Sequence, residues 1–161
     1  MRHLIKRVLE LEGEEEGPVI RHSDVAERES SDEELKALLE SLQPRIRVYG
    51  VGGAGCNAVS RLNESGMFEN RYVTGYAINT DAQALLMSDL EQKILIGRTA
   101  RGRGAGGDPS KGEAAALESE NTLNKITEDT QLAIITAGMG GGSGTGAAGQ
   151  IARLARAKGA L

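Results

Sequence analysis

Three glycine-rich stretches carry the chemistry legible in this chain: GVGGAGCN at Gly50–Asn57, GRGAGGDP at Gly102–Pro109 and GMGGGSGTGAA at Gly138–Ala148. Glycine leaves backbone N–H groups bare. A run of it just before a helix therefore lets unpaired donors and the positive end of the helix dipole approach an anion closely. The third stretch adds the hydroxyls of Ser143 and Thr145 and no charge. A flexible linker would join segments without order of their own, but this stretch lies between an apolar run and an amphipathic segment. A serine nucleophile on a G-x-S-x-G turn needs glycine where Thr145 stands. Neither histidine, His3 or His22, falls in the glycine-rich part to activate Ser143. A lysine-bearing phosphate loop is excluded, because no lysine lies between Lys125 and Lys158. What remains is a lysine-free phosphate cradle of backbone N–H groups, two hydroxyls and a helix dipole.

The elements that must position these loops alternate. IRVYGV (46–51) reads as a strand, followed by a helix from about Cys56 to Gly66. YVTGYAIN (72–79) is a second strand, with a short helix over 82–87, and KILIG (93–97) a third. Asp108-Pro109 has N-cap and N1 chemistry and starts a helix expected to run to about Leu123. QLAIITA (131–137) is the fourth strand and 147–158 the last helix. Arg153, Arg156 and Lys158 suit its C-terminal dipole, and Gly159 suits its C′ position. Four strand–helix repeats make an α/β domain: a Rossmann-like parallel sheet with helices on both faces. Each glycine loop then falls at the carboxyl end of a strand, the edge where open parallel sheets bind ligands. Gly50-Val51-Gly52-Gly53-Ala54-Gly55 satisfies G-x-G-x-x-G, a dinucleotide fingerprint that also serves a tight strand-to-helix turn. The acid that fingerprint wants on the second strand is Asp81, slightly late after Asn79-Thr80. An NAD(P)-binding oxidoreductase thus remains one reading.

Before the domain lies a different texture. Residues 1–43 carry 12 acids and 6 bases, whereas 44–161 carry 11 and 13. Residues 1–30 read as a mobile acidic tail. Over 31–43, Ser31 with Glu34 fits a capping box, and Leu35, Leu38, Leu39 and Leu42 form the stripe of an amphipathic helix that Pro44 closes. The balance near neutrality argues against general nucleic-acid affinity. RTARGRGAGG (98–107) looks like an arginine–glycine RNA patch, but three tyrosines and one phenylalanine cannot supply stacking platforms. Cys56 is the single cysteine, which fits a reducing cytoplasm. No run approaches the roughly 20 apolar residues of a membrane span.

GVGGAGCNAVSRL, AINTDAQAL, RGRGAGGDPSKG and ITAGMGGGSGTGAA, in this order and spacing, resemble the FtsZ family of cell-division GTPases, prokaryotic relatives of tubulin. The resemblance covers about Arg45 to Leu161, and the leucine helix before Pro44 has an archaeal flavour. It implies GTP or GDP with Mg²⁺ as cofactors. Gly52, Gly53 and the backbone of Ala54, Gly55 and Cys56 are implied as the first nucleotide loop, with Asn57 toward the guanine or ribose. Asn79, Thr80 and Asp81 are implied near the phosphates, Asp81 reaching Mg²⁺ through water with no direct metal ligand. Ala105, Gly106 and Gly107 are implied to sense the γ-phosphate. Gly140, Gly141, Gly142, Ser143, Gly144, Thr145 and Gly146 are implied to grip the diphosphate, so a valine at Gly142 or Gly144 is expected to fill the phosphate volume. Ser143 is commonly threonine in the family, and Gly149 stands where it has proline.

The resemblance further implies a strand order of 3-2-1-4, hydrolysis completed by acids of a neighbouring subunit and no catalytic residue in this chain. The chain is expected to be an N-terminal fragment that stops before a fifth strand and leaves LAIITA as an apolar edge. A head-to-tail homopolymer, septal-ring formation at a cytoplasmic division site and membrane-tethering or division partners are implied. No nucleic-acid partner and no direct membrane insertion are expected. A tubulin-like regulator of assembly or shape without turnover is the other alternative.

Overall fold

The computed structural model describes residues 22–161. Of the expected tail, residues 1–21 lie outside the described residues. Helix α1 (His22–Leu42) begins well before Ser31. The capping box at Ser31 and Glu34 is therefore not a helix start: both residues lie inside a helix that the upstream sequence already propagates. Leu35, Leu38, Leu39 and Leu42 are each more than half exposed. Residues 1–43 and 44–161 form separate units.

In the second unit, strands β1 (Ile46–Val51), β2 (Val73–Asn79), β3 (Gln92–Leu95) and β4 (Leu132–Ala137) form one parallel sheet in the order β3-β2-β1-β4. Ile46 pairs with Val73 on one side and Leu132 on the other, and Val51 with Ile78 and Ala137. Between them run α2 (Gly52–Glu64), α3 (Ala82–Leu86), α4 (Pro109–Glu118), α5 (Glu120–Thr127) and, after β4, α6 (Gly142–Ala157). Alternation along β1 sends Tyr49 and Val51 to one face, with Tyr76, Ile78, Leu123, Ile151 and Leu154. Val48 goes to the other face, with Cys56, Val59, Ala77, Leu85 and Leu90. No described helix is long and apolar enough to cross a membrane.

Three helix boundaries differ from expectation. α2 starts at Gly52 rather than Cys56, and α6 at Gly142 rather than Ala147. Glycine's low helix propensity hides both starts, and close packing of those first turns overrides it. The helix expected over 109–123 breaks at Ser119, whose φ of −99° and ψ of 15° separate α4 from α5. Ser119 Oγ accepts a 2.9 Å hydrogen bond from Gly97 N, which ties that break to the end of β3.

The outer edge of β4 leaves Leu132 36% and Ile134 46% exposed. Its Ala133 N–H donates to Leu161 O at 2.8 Å.

Candidate functional site

The strand order reverses between β1 and β4, and the crevice at such a switch point is where open α/β sheets bind ligands. A cleft of about 410 Å³ opens there, lined by Val51, Gly52, Gly53, Ala54, Gly138 and Gly140 to Gly144. Four helices begin along this carboxyl edge, and their caps divide them. The Asp81 carboxylate accepts from Gln83 N and Ala84 N at the start of α3, and Asp108 accepts from Ser110 N at the start of α4. Those two N-termini are already satisfied by an anion of the chain itself. The N-caps of α2 and α6 are Val51 and Gly141, and neither provides a side-chain hydrogen bond. Both uncapped N-termini face the one cleft.

The glycines sort into two kinds. A Cβ built on Gly53, Gly140 or Gly141 would meet nothing within 4 Å, so these positions leave open space. Four glycines of the first and third stretches press on the protein instead. A Cβ on Gly55 would lie 2.3 Å from Thr136 O, on Gly142 2.7 Å from Ala105 Cβ, on Gly144 2.8 Å from Gly138 O, and on Gly146 2.1 Å from Pro109 O. Gly142 and Gly144 are thus glycine because backbone and Ala105 crowd them. The expectation that a side chain there fills phosphate volume is corrected: it would first strike the fold.

Of the anticipated residues, Gly52, Gly53, Ala54 and Gly140 to Ser143 with Gly144 line the cleft. Thr145 and Gly146 do not; they line a groove between α4 and α6 with Pro109, Glu113 and Arg153. Thr145 Oγ1 is buried without a hydrogen-bond partner among the described residues. Asn57 is exposed on α2. Cys56 is buried, its Sγ donating weakly to Gly50 O and Ile78 O, and burial pushes its thiol pKa up. Its side chain therefore belongs to the core. Val51 and Gly138 line the cleft without having been singled out; both stood inside quoted motifs, so their places were signalled and their roles were not.

The 79–81 and 101–107 loops adjoin the cleft through contacts rather than lining it. Asn79 is buried, and its Oδ1 accepts from Thr80 N at 2.8 Å, fixing the turn after β2. Thr80 Oγ1 stands 2.6 Å from Ser143 Oγ. Buried Ala105 faces Gly142, while Gly106 and Gly107 take left-handed φ of 61° and 80° in open space. Only glycine adopts such a pair without strain. The site is a neutral backbone cradle at two uncapped helix ends, an arrangement that holds a phosphate-like anion.

A family model described as the tubulin/FtsZ family, GTPase domain, matches residues 45–161. The chain belongs to the tubulin/FtsZ family. That membership sets aside the NAD(P)-oxidoreductase reading of Gly50–Gly55. The cell division protein FtsZ 1 of Pyrococcus horikoshii is 47% identical over 163 residues, a match spanning 100% of this chain and 42% of that protein. The same-named protein of Methanocaldococcus jannaschii is 41% identical, over 91% of this chain and 40% of its own length. Among solved structures, an empty FtsZ dimer from M. jannaschii superposes with a TM-score of 0.72 at 42% identity, covering 81% of this chain and 38% of that one. A GTPγS-bound CetZ2 protofilament from Haloferax volcanii superposes at 0.60 and 27% identity, covering 68% of this chain and 35% of that one. The chain spans about two fifths of the length of these curated FtsZ relatives.

Proposed function

We propose that the chain binds GTP and GDP in the cleft between α2 and α6, as the nucleotide-holding part of a self-assembling, septal-ring-forming GTPase of prokaryotic cell division. The observation that carries this reading is the pairing of two uncapped helix N-termini, with open space at Gly53, Gly140 and Gly141, across one cleft at the switch point. Backbone N–H groups of Gly52 to Cys56 and Gly140 to Ser143 hold the phosphates, and Ser143 Oγ adds a hydroxyl. Gly142, Gly144 and Gly146 bring the backbones close enough to build that cradle, and Thr145 lies on the far side of α6. Asn79 orders Thr80 and Asp81. Ala105, Gly106 and Gly107 stand over the γ-phosphate, and Asn57 lies on the ribose or guanine side.

When bound, Mg²⁺ neutralises phosphate charge. Asp81 would hold it through a water shell, since Oδ1 of that carboxylate caps α3 and Oδ2 has no hydrogen-bond partner among the described residues. The carboxylates flanking the glycine loops, Asp81 and Asp108, are engaged as helix caps. In this reading the acid that activates water is supplied by a neighbouring subunit of the assembly. Assembly into head-to-tail homopolymers is in keeping with the dimeric FtsZ and the CetZ2 protofilament. The place of action is the cytoplasmic division site, with membrane-tethering and division proteins as partners.

Calorimetric titration of the chain with GTP, GDP and NAD tests the reading. Binding of both guanine nucleotides with no NAD binding is expected. Tight NAD binding without GTP binding overturns it.

A further inference from the structure

Thr80 and Ser143 lie 63 positions apart in sequence, yet their side-chain oxygens stand 2.6 Å apart inside the molecule. Thr80 is 1% and Ser143 9% exposed. Each hydroxyl has one proton to give, and only one proton fits between the two oxygens. Thr80 Oγ1 has no other hydrogen-bond partner among the described residues. If Ser143 donated to Thr80, the Thr80 proton would be buried with no acceptor, an arrangement that folded proteins avoid. Donation from Thr80 to Ser143 uses the Thr80 proton. It leaves the Ser143 O–H to turn toward the cleft that Ser143 lines and Thr80 does not. Thr80 is itself held on both sides, its N–H donating to Asn79 Oδ1 at 2.8 Å and its carbonyl accepting from Gly104 N at 3.1 Å.

We propose that Thr80 is a positioning residue for the anion site: it touches no phosphate, but by donating to Ser143 Oγ it makes the Ser143 hydroxyl a fixed donor into the cleft. The proposal rests on the phosphate reading of that cleft. Because Gly104 hangs from the Thr80 carbonyl, the same residue joins the 101–107 loop to the anion site.

A double-mutant cycle tests this role. GTP is titrated calorimetrically into the chain and into Thr80→Val, Thr80→Ser, Ser143→Ala and the Thr80→Val/Ser143→Ala pair. Valine keeps the shape of threonine and removes the hydroxyl. Thr80→Val and Ser143→Ala are each expected to weaken GTP binding about tenfold, the loss of one hydrogen bond. Thr80→Ser should bind within about twofold of the unaltered chain, and the pair should be no weaker than Ser143→Ala alone. A merely structural Thr80 would lose the same factor in both backgrounds. Such additivity, or a silent Thr80→Val, overturns the proposal while leaving the nucleotide site standing. Absence of GTP binding by the unaltered chain removes the nucleotide reading and this one with it. If Thr80→Val does not fold, Thr80→Ala takes its place in the same cycle.

Discussion

Gly52 and Gly144 meet where the first turns of α2 and α6 come together, and a Cβ on Gly52 would stand 2.7 Å from Gly144 N. Gly52 also takes a φ of +72°, a conformation that side chains resist. The two uncapped helix ends face one cleft because nothing wider than hydrogen separates them. Stability and binding should therefore come apart by position. Gly144→Val forces a branched side chain against Gly138 O and Val51 O, at 2.8 and 3.1 Å from a Cβ. The overpacking should destabilise by about 2–3 kcal/mol and lower the melting temperature by roughly 5–10 °C. Gly53→Val meets open space, so its melting temperature should hold while GTP affinity falls at least about tenfold, since a branched side chain beside the donors blocks close approach of an anion. Thermal melts beside calorimetry check both. Equal melting temperatures for the two variants would contradict the sorting.

Asp108 supplies the only side-chain cap at the start of α4, accepting from Ser110 N at 2.9 Å with Pro109 at the first helical position. Asp108→Ala should destabilise the domain by about 1 kcal/mol, and Asp108→Asn by less, because asparagine still accepts the same bond. Urea denaturation of the two variants beside the unaltered chain measures the difference. Loss of equal size in both would point to the charge, not the cap.

The strands were legible because runs such as IRVYGV and LAIITA are apolar, β-branched and bounded by glycine, and the 3-2-1-4 order came with the family resemblance. Helix starts at Gly52 and Gly142 were not, since glycine is a poor helix former and close contacts such as those of Gly52 with Gly144 N and Gly142 with Ala105 Cβ justify it there. The break at Ser119 leaves no mark in the local sequence, and the hydrogen bond that accompanies it comes from Gly97, 22 residues away. Gly53, Gly140 and Gly141 could not be told from Gly142 and Gly144 by residue type. What divides them is which side of the backbone faces another segment. Thr145 shares a motif with Ser143, yet it lines a different groove, on the α4 side of α6.

Turnover should be negligible for the chain alone. Asp81 and Asp108 each cap a helix N-terminus through Oδ1, and the proposed site takes its water-activating acid from a neighbouring subunit. Phosphate release from GTP, measured at micromolar chain, should stay near the uncatalysed rate. Robust release that survives repurification, and that Asp81→Asn abolishes, would instead assign the chemistry to this chain.

Alkaline pH should weaken the domain through Cys56. Burial raises its thiol pKa, so the folded state keeps the proton that the unfolded chain releases. A raised folded pKa stabilises fully below the unfolded value, near 8.5 for a free thiol, and that contribution is lost as pH rises toward the folded value. Tyr49, also raised by burial and fully buried under Tyr76 and Thr130, acts the same way from about pH 10 upward. Unfolding free energies from urea melts at pH 7, 8.5 and 9.5 should therefore fall across the last interval. Cys56→Ala should show a shallower fall over that interval, despite a lower starting stability from the lost packing against Val59 and Ala77. An unchanged slope in that variant would place the alkaline sensitivity elsewhere.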